Sequence, residues 1–93
     1  MVLMSKPNIE MYTTTVCPYC TAAKRLLSER GLTWTELHVD RDPEIRMTML
    51  NRSMGARTVP QIFINGQRVG GFEELVAADR NGSLQSLLET DVA

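Results

Sequence analysis

The sequence predicts an α/β domain: a four-stranded mixed sheet flanked by helices, in the order β-α-β-α-β-β-α-α. Three observations predict it. Short apolar segments with strand-like alternation take turns with longer segments whose apolar residues recur at helical spacing. The first two strands are separated by a helix, and a strand–helix–strand crossover pairs them in parallel. The last two are separated only by Asn65-Gly66, the strongest short signal for an antiparallel hairpin.

Each element has its own warrant. Ile9 to Tyr12 reads as a short strand. Pro18 to Arg30 reads as a helix, with Pro at its first position, Ala22, Ala23, Leu26 and Leu27 on one stripe, and Gly31 as the C-terminal cap. Trp34 to Val39 alternates Trp34, Glu36 and His38 with Thr35, Leu37 and Val39, which suits a strand. Asp40 to Asp42 is a turn, and Asp42 caps a second helix that starts at Pro43 and runs to about Met54, stopping near Gly55. Gln61 to Ile64 is the third strand and Gln67 to Val69 its return. Gly70-Gly71 breaks that strand, Phe72 to Asp79 begins a further helix, Asn81-Gly82 interrupts, and Ser83 caps a last helix to about Glu89. Trp34, Ile62 and Phe63 read as core, and Met47, Met49 and Met54 as packing on one helix. His38 reads as a partly exposed strand residue.

Ninety-three residues fit one domain over residues 1–93, with a core from about 8 to 89. A net charge of −1 offers no basic excess for nucleic acid and no polybasic segment for a membrane. Met1 to Pro7 has too short an apolar run for a secretory signal, and Lys6 follows that run. No apolar stretch approaches transmembrane length. A cytoplasmic location and a monomer are the expectations. Structural disulfides rarely persist in the cytosol. The only two cysteines, in Cys17-Pro18-Tyr19-Cys20, are therefore redox-active or metal-bound rather than structural. Structural zinc needs four ligands, and the chain offers two cysteines and His38, so no metal is expected.

The spacing of the pair sets its chemistry. If Pro18 opens a helix, Cys17 sits at its N-terminal edge and Cys20 points back from the first turn, so the sulfurs can meet. The positive end of a helix dipole favours thiolate, and thiolate is the nucleophile. A Cys-x-x-Cys at the end of the first strand of such a unit is a thioredoxin-like signature.

Cys17-Pro18-Tyr19-Cys20, then Thr58-Val59-Pro60 before Gln-Ile-Phe-Ile and Asn65-Gly66, then Gly70-Gly71 with Glu73-Glu74, resembles a dithiol glutaredoxin. The resemblance covers about Ile9 to Leu88 and implies a thioredoxin-like fold. It implies a glutathione-dependent thiol–disulfide oxidoreductase that reduces protein disulfides and glutathione mixed disulfides, with glutathione as reducing co-substrate. Ribonucleotide reductase is a client by family analogy. Cys17 is then the nucleophile and Cys20 the resolving thiol, cycling through a Cys17–Cys20 disulfide near −200 to −230 mV, roughly the family poise. Lys24 and Arg25, on the same helix, would add positive potential. Two other readings remain: a similar protein reduced by thioredoxin reductase, and a non-enzymatic carrier holding an iron–sulfur cluster between two subunits.

The resemblance also implies a glutathione site at Tyr19, Thr58, Val59, Pro60, Gly71, Phe72 and Glu73. A cis Val59–Pro60 bond would turn the Val59 backbone toward substrate, whereas the residues alone read as a proline starting an edge strand. The helix start at Phe72 and Glu73 suits the γ-glutamyl carboxylate, and Glu73 or Glu74 the ammonium group. Both acids also read as dipole-favoured residues on a solvated first turn. Tyr19 either offers ring and hydroxyl to substrates or packs over the motif. Many relatives carry Lys three residues before the first cysteine, where this chain has Thr14. Arg46 and Arg57 are the substitute cations for the glycyl carboxylate, and each also reads as a solvated surface arginine.

Overall fold

A computed structural model describes residues 7–89, so the expectation about Met1 to Lys6 lies outside the described residues. The chain runs β1 (Ile9–Thr13), α1 (Pro18–Glu29), β2 (Thr35–His38), α2 (Pro43–Arg52), β3 (Gln61–Ile64), β4 (Gln67–Gly70), α3 (Phe72–Asn81) and α4 (Ser83–Glu89). The sheet order is β2-β1-β3-β4. β1 pairs with β2 in parallel and with β3 antiparallel, and β3 pairs with β4 antiparallel. This is the four-stranded mixed sheet, in the order, that the sequence predicts.

Strand alternation divides the core between the two faces of the sheet. Ile9, Met11, Ile62 and Ile64 face Ala23 and Leu27 of α1, Leu75 and Ala78 of α3, and Leu84 of α4. Tyr12 and Phe63 face the other way, toward Val39 and Met49. Each large side chain removed from water contributes roughly 1.5–3 kcal/mol, so both layers hold the sheet. α1 stops where Gly31, at φ 74°, reverses the chain. There Leu32 N–H donates to Leu27 O (3.0 Å) and Gly31 N–H to Ser28 O (2.9 Å), closing a Schellman motif. Arg30 then forks onto Asp79 with bonds of 2.8 and 2.7 Å, tying α1 to α3.

α2 is shorter than the sequence suggests. Its last residue is Arg52, Ser53 caps it, and Met54 adopts φ 57° outside the helix. Met54 is 89% exposed and Met47 58%, so of the three methionines only Met49 packs inside. The end of α2 is held by Arg52 instead. Its guanidinium lies 4.0 Å over the Phe63 ring, donates to Tyr12 Oη (3.1 Å) and pairs with Glu10 (3.0 Å). Trp34 precedes β2 rather than belonging to it and is only partly buried, its Nε1 donating to Glu36 (3.3 Å). Ser83 is the first residue of α4 rather than its cap, and its N–H donates to Asn81 Oδ1 (2.8 Å). Among the described residues no helix is long and apolar enough to cross a membrane.

Candidate active site

Pro18 occupies the first turn of α1, and Cys17 is the extended N-cap at φ −155°, ψ 100°. An N-cap side chain accepts the N–H two or three residues on. Here that acceptor is sulfur: Cys20 N–H donates to Cys17 Sγ at 3.1 Å. The two cysteines form a disulfide with Cα atoms 5.1 Å apart, inside the usual range. Cys20 is 1% exposed, while Cys17 is half-buried. The same three-residue step thus makes one sulfur reachable and conceals the other. Tyr19 between them is 62% exposed, its ring 6.2 Å from that of Phe72.

The loop leading into Cys17 is moored to the end of β2. Val39 N–H donates to Thr13 O (3.0 Å), and Thr15 N–H donates to Asp40 Oδ2 (2.9 Å). Hydrogen bonding from Thr15 holds the Asp40 carboxyl below its usual range, with the Arg41 charge adding to the effect. Thr14 turns its hydroxyl onto Val16 O at 3.2 Å.

Across from the cysteines, the Val59–Pro60 bond is cis, and Val59 O lies 3.7 Å from Cys17 Sγ. A groove of about 390 Å³ starts here, lined by Tyr19, Thr58, Val59, Pro60, Gly71, Phe72, Glu73 and Glu74. All seven residues singled out around the cysteines from sequence line this one groove. The volume falls within the range of small-molecule sites. Its far wall is the start of α3, where the first backbone N–H groups have no partner inside the helix. Glu74 and Glu73 divide their duties. Glu74 Oε1 accepts the Gly71 N–H at 2.7 Å, capping α3. Glu73 is exposed and, among the described residues, its carboxylate has no partner. Glu73 and the N–H groups of Phe72 and Glu73 are therefore the free polar groups on that wall.

The expected cations are not in the groove. Lys24 pairs with Glu36 on β2 at 3.2 Å and does not line the groove. Partial burial pushes the Glu36 carboxyl up, but hydrogen bonds from Lys24 and Trp34 outweigh it and hold the group below its usual range. Arg25, Arg46 and Arg57 are exposed, and none lines the groove. His38, partly exposed, lies 3.3 Å from Glu36 and 4.0 Å from Asp40. Among the described residues no three of His, Cys, Asp or Glu gather as a metal site.

Sequence reasoning missed Gln61 and Arg68. Gln61 is 3% exposed beside the groove and bonds both Thr58 and Arg68. The available signal was an amide side chain opening an otherwise apolar strand.

Known proteins share these features. The glutaredoxin family model matches residues 9–69. Glutaredoxin 3 of Escherichia coli is 48% identical over 82 residues, covering 88% of this chain and 98% of the relative. The glutaredoxin of Pseudomonas aeruginosa is 45% identical over 82 residues, covering 88% and 96%. The solution structure of a Brucella melitensis glutaredoxin superposes with a TM-score of 0.80 at 42% identity, covering 94% of each chain. A buckwheat glutaredoxin–glutathione complex superposes with a TM-score of 0.78 at 28% identity, covering 88% of this chain and 76% of that one. With a disulfide-linked dithiol at the head of a helix, on this fold and with these relatives, the chain belongs to the glutaredoxin family of thiol–disulfide oxidoreductases.

Proposed function

We propose that this protein reduces protein disulfides and glutathione mixed disulfides at the expense of glutathione. The observation that carries the reading is the groove running from Val59, whose carbonyl lies 3.7 Å from Cys17 Sγ, to the start of α3, lined by Tyr19, Thr58, Val59, Pro60, Gly71, Phe72 and Glu73. Glutathione is an extended tripeptide with a thiol at its centre and charged ends. Its cysteinyl backbone pairs with Val59 as an added strand. Its γ-glutamyl carboxylate takes the free N–H groups of Phe72 and Glu73, and its ammonium group faces the Glu73 carboxylate. The sulfur then reaches Cys17. A glutathione complex of a similarly folded glutaredoxin supports this choice of co-substrate.

The chemistry is thiol–disulfide exchange. The Cys17 thiolate attacks the glutathionyl sulfur of a modified protein; the protein's thiolate leaves and takes a proton, and Cys17 carries glutathione in a mixed disulfide. A glutathione thiolate attacks that glutathionyl sulfur, forming glutathione disulfide and releasing the Cys17 thiolate. With a protein disulfide, Cys17 forms the mixed disulfide with the client, and Cys20 attacks the Cys17 sulfur to release the reduced client. Two glutathione molecules then reduce Cys17–Cys20 and leave as glutathione disulfide. Clients are protein disulfides and glutathionylated proteins in the cytoplasm. Ribonucleotide reductase belongs to that class.

The test is reduction of a glutathione mixed disulfide, coupled to glutathione reductase in one arm and to thioredoxin reductase in the other. Turnover in the first arm and none in the second is expected; the reverse sinks the reading. Cys17→Ser abolishes turnover, while Cys20→Ser keeps deglutathionylation. A dead Cys20→Ser beside an active Cys17→Ser reverses the two roles.

A further inference from the structure

We propose that Gln61 is a positioning residue for glutathione: held by Arg68, its amide sets the Thr58–Val59 peptide so that the Val59 N–H faces the co-substrate. The proposal rests on the glutathione reading above. Gln61 opens β3, is 3% exposed, and is bonded on both sides of its amide. Its Nε2 donates to Thr58 O (3.1 Å) and reaches Thr58 Oγ1 (3.4 Å). Its Oε1 accepts from Arg68 Nε (3.2 Å) and Nη2 (3.1 Å). A guanidinium only donates, so the amide oxygen must be the atom turned to Arg68 and the NH₂ the atom turned to Thr58. Arg68 thereby fixes which way the amide faces.

That orientation reaches the groove through one peptide plane. The Thr58–Val59 bond is trans; the cis bond is the next one. In a trans peptide C=O and N–H point in opposite directions. Holding the Thr58 carbonyl on Gln61 therefore turns the Val59 N–H away from Gln61. Among the described residues that N–H donates to nothing, and the carbonyl of the same residue lies 3.7 Å from Cys17 Sγ. A free donor beside the reactive sulfur is what a strand-like partner needs. Arg68 reaches Gln61 diagonally across the β3–β4 ladder. Gly70 pairs with Ile62 and Arg68 with Phe63, so Val69 is the extra residue and Arg68 lies on the Gln61 face. A second cavity of about 290 Å³ opens on this network and shares Thr58, Gly71 and Glu74 with the groove.

The experiment is steady-state reduction of a glutathione mixed disulfide by wild type, Gln61→Glu, Arg68→Ala and Arg68→Lys, with alkylation of Cys17 by iodoacetamide measured alongside. Gln61→Glu keeps an acceptor for Arg68 but removes the donor to Thr58. Its KM for glutathione is expected to rise about tenfold, the effect of one lost hydrogen bond, with the alkylation rate unchanged. Arg68→Ala raises KM by a smaller factor, and Arg68→Lys recovers most of it. An unchanged KM in Gln61→Glu overturns the proposal, even if the variant melts earlier. So does a KM that rises only in step with a fall in alkylation, because the clamp then acts on Cys17 or on the whole fold. Wild-type protein that does not turn over with glutathione overturns the underlying reading, and is scored before any variant.

Discussion

The acidity of Cys17 follows from its place at the N-cap. In the reduced Cys20→Ser variant the backbone donor at position 20 is retained and only one thiol titrates. A hydrogen bond to a charged group contributes about 1.5–3 kcal/mol, and a helix N-terminus about 0.3–1 kcal/mol more for a negative charge. The 3.1 Å bond from residue 20 and the capping position of Cys17 supply both. Half-burial takes part of the gain back, so their sum of about 2–4 kcal/mol is an upper bound. The Cys17 thiol should therefore ionise well below the pH at which a free cysteine does. The folded pKa is depressed, so the stabilisation is present above the unfolded value. It is lost as pH falls through the folded value. Thiolate absorbance against pH reads the ionisation directly. The melting temperature of Cys20→Ser, compared with that of Cys17→Ser/Cys20→Ser, isolates the stability contribution between about pH 5 and 9. A first ionisation at or above that of a free cysteine, or parallel melting curves, refutes the reasoning.

Other predictions test the groove wall and the surface. Glu73→Gln removes an exposed charge pair worth about 0.2–1 kcal/mol, so KM for glutathione should rise by a factor of about 1.4 to 5; an unchanged KM removes Glu73 from the site. Glu74→Ala removes the cap on Gly71 N–H; it should cost about 1 kcal/mol, read as a melting point roughly 4–8 °C lower, and a stable variant argues against the capping role. The carboxyls of Glu36, Asp40 and Asp79 are all held below their usual range, Asp79 by the Arg30 hydrogen bond first. Oxidised protein should therefore keep its stability above about pH 5 and lose it as pH falls below about 4. Asp40→Asn should flatten part of that loss, and a melting temperature indifferent to acid contradicts the assignment.

The fold was legible wherever a local rule coincides with a tertiary one. Pro18, Asp42-Pro43 and Asn65-Gly66 each mark a backbone event that the surroundings also require, and all three stand where they were read. The end of α2 was not legible, for a reason visible in hindsight. Met47 and Met49 are two residues apart, so they point to opposite sides of a helix and cannot both face one core. Only Met49 does, and Met54 lies beyond the last turn in a left-handed conformation. Trp34 misled because a large ring reads as core. Just before the edge strand β2 the ring is only partly buried, and its N–H bonds Glu36 across the surface.

The site divides along the same line. Residues beside a proline or glycine could be picked out, because those residues announce unusual backbone, and the backbone at Thr58-Val59-Pro60 and Gly71-Phe72 forms much of the groove. What could not be read was how side chains pair across elements. The pairing of Lys24 with Glu36 depends on how α1, the crossover helix, lies against β2, and that of Arg68 with Gln61 on the register that sets Arg68 opposite Phe63. Burial carries a further consequence for the order of events in the proposed cycle. Cys20, at the third helical position, is sealed, while Cys17, at the cap, is only half-buried and its sulfur lies 3.7 Å from the carbonyl of Val59 on the groove wall. An incoming disulfide or glutathione thiol therefore meets Cys17 first. Cys20 acts only on the Cys17 sulfur, once that sulfur carries a mixed disulfide, which makes the sequence of attacks a consequence of helix geometry.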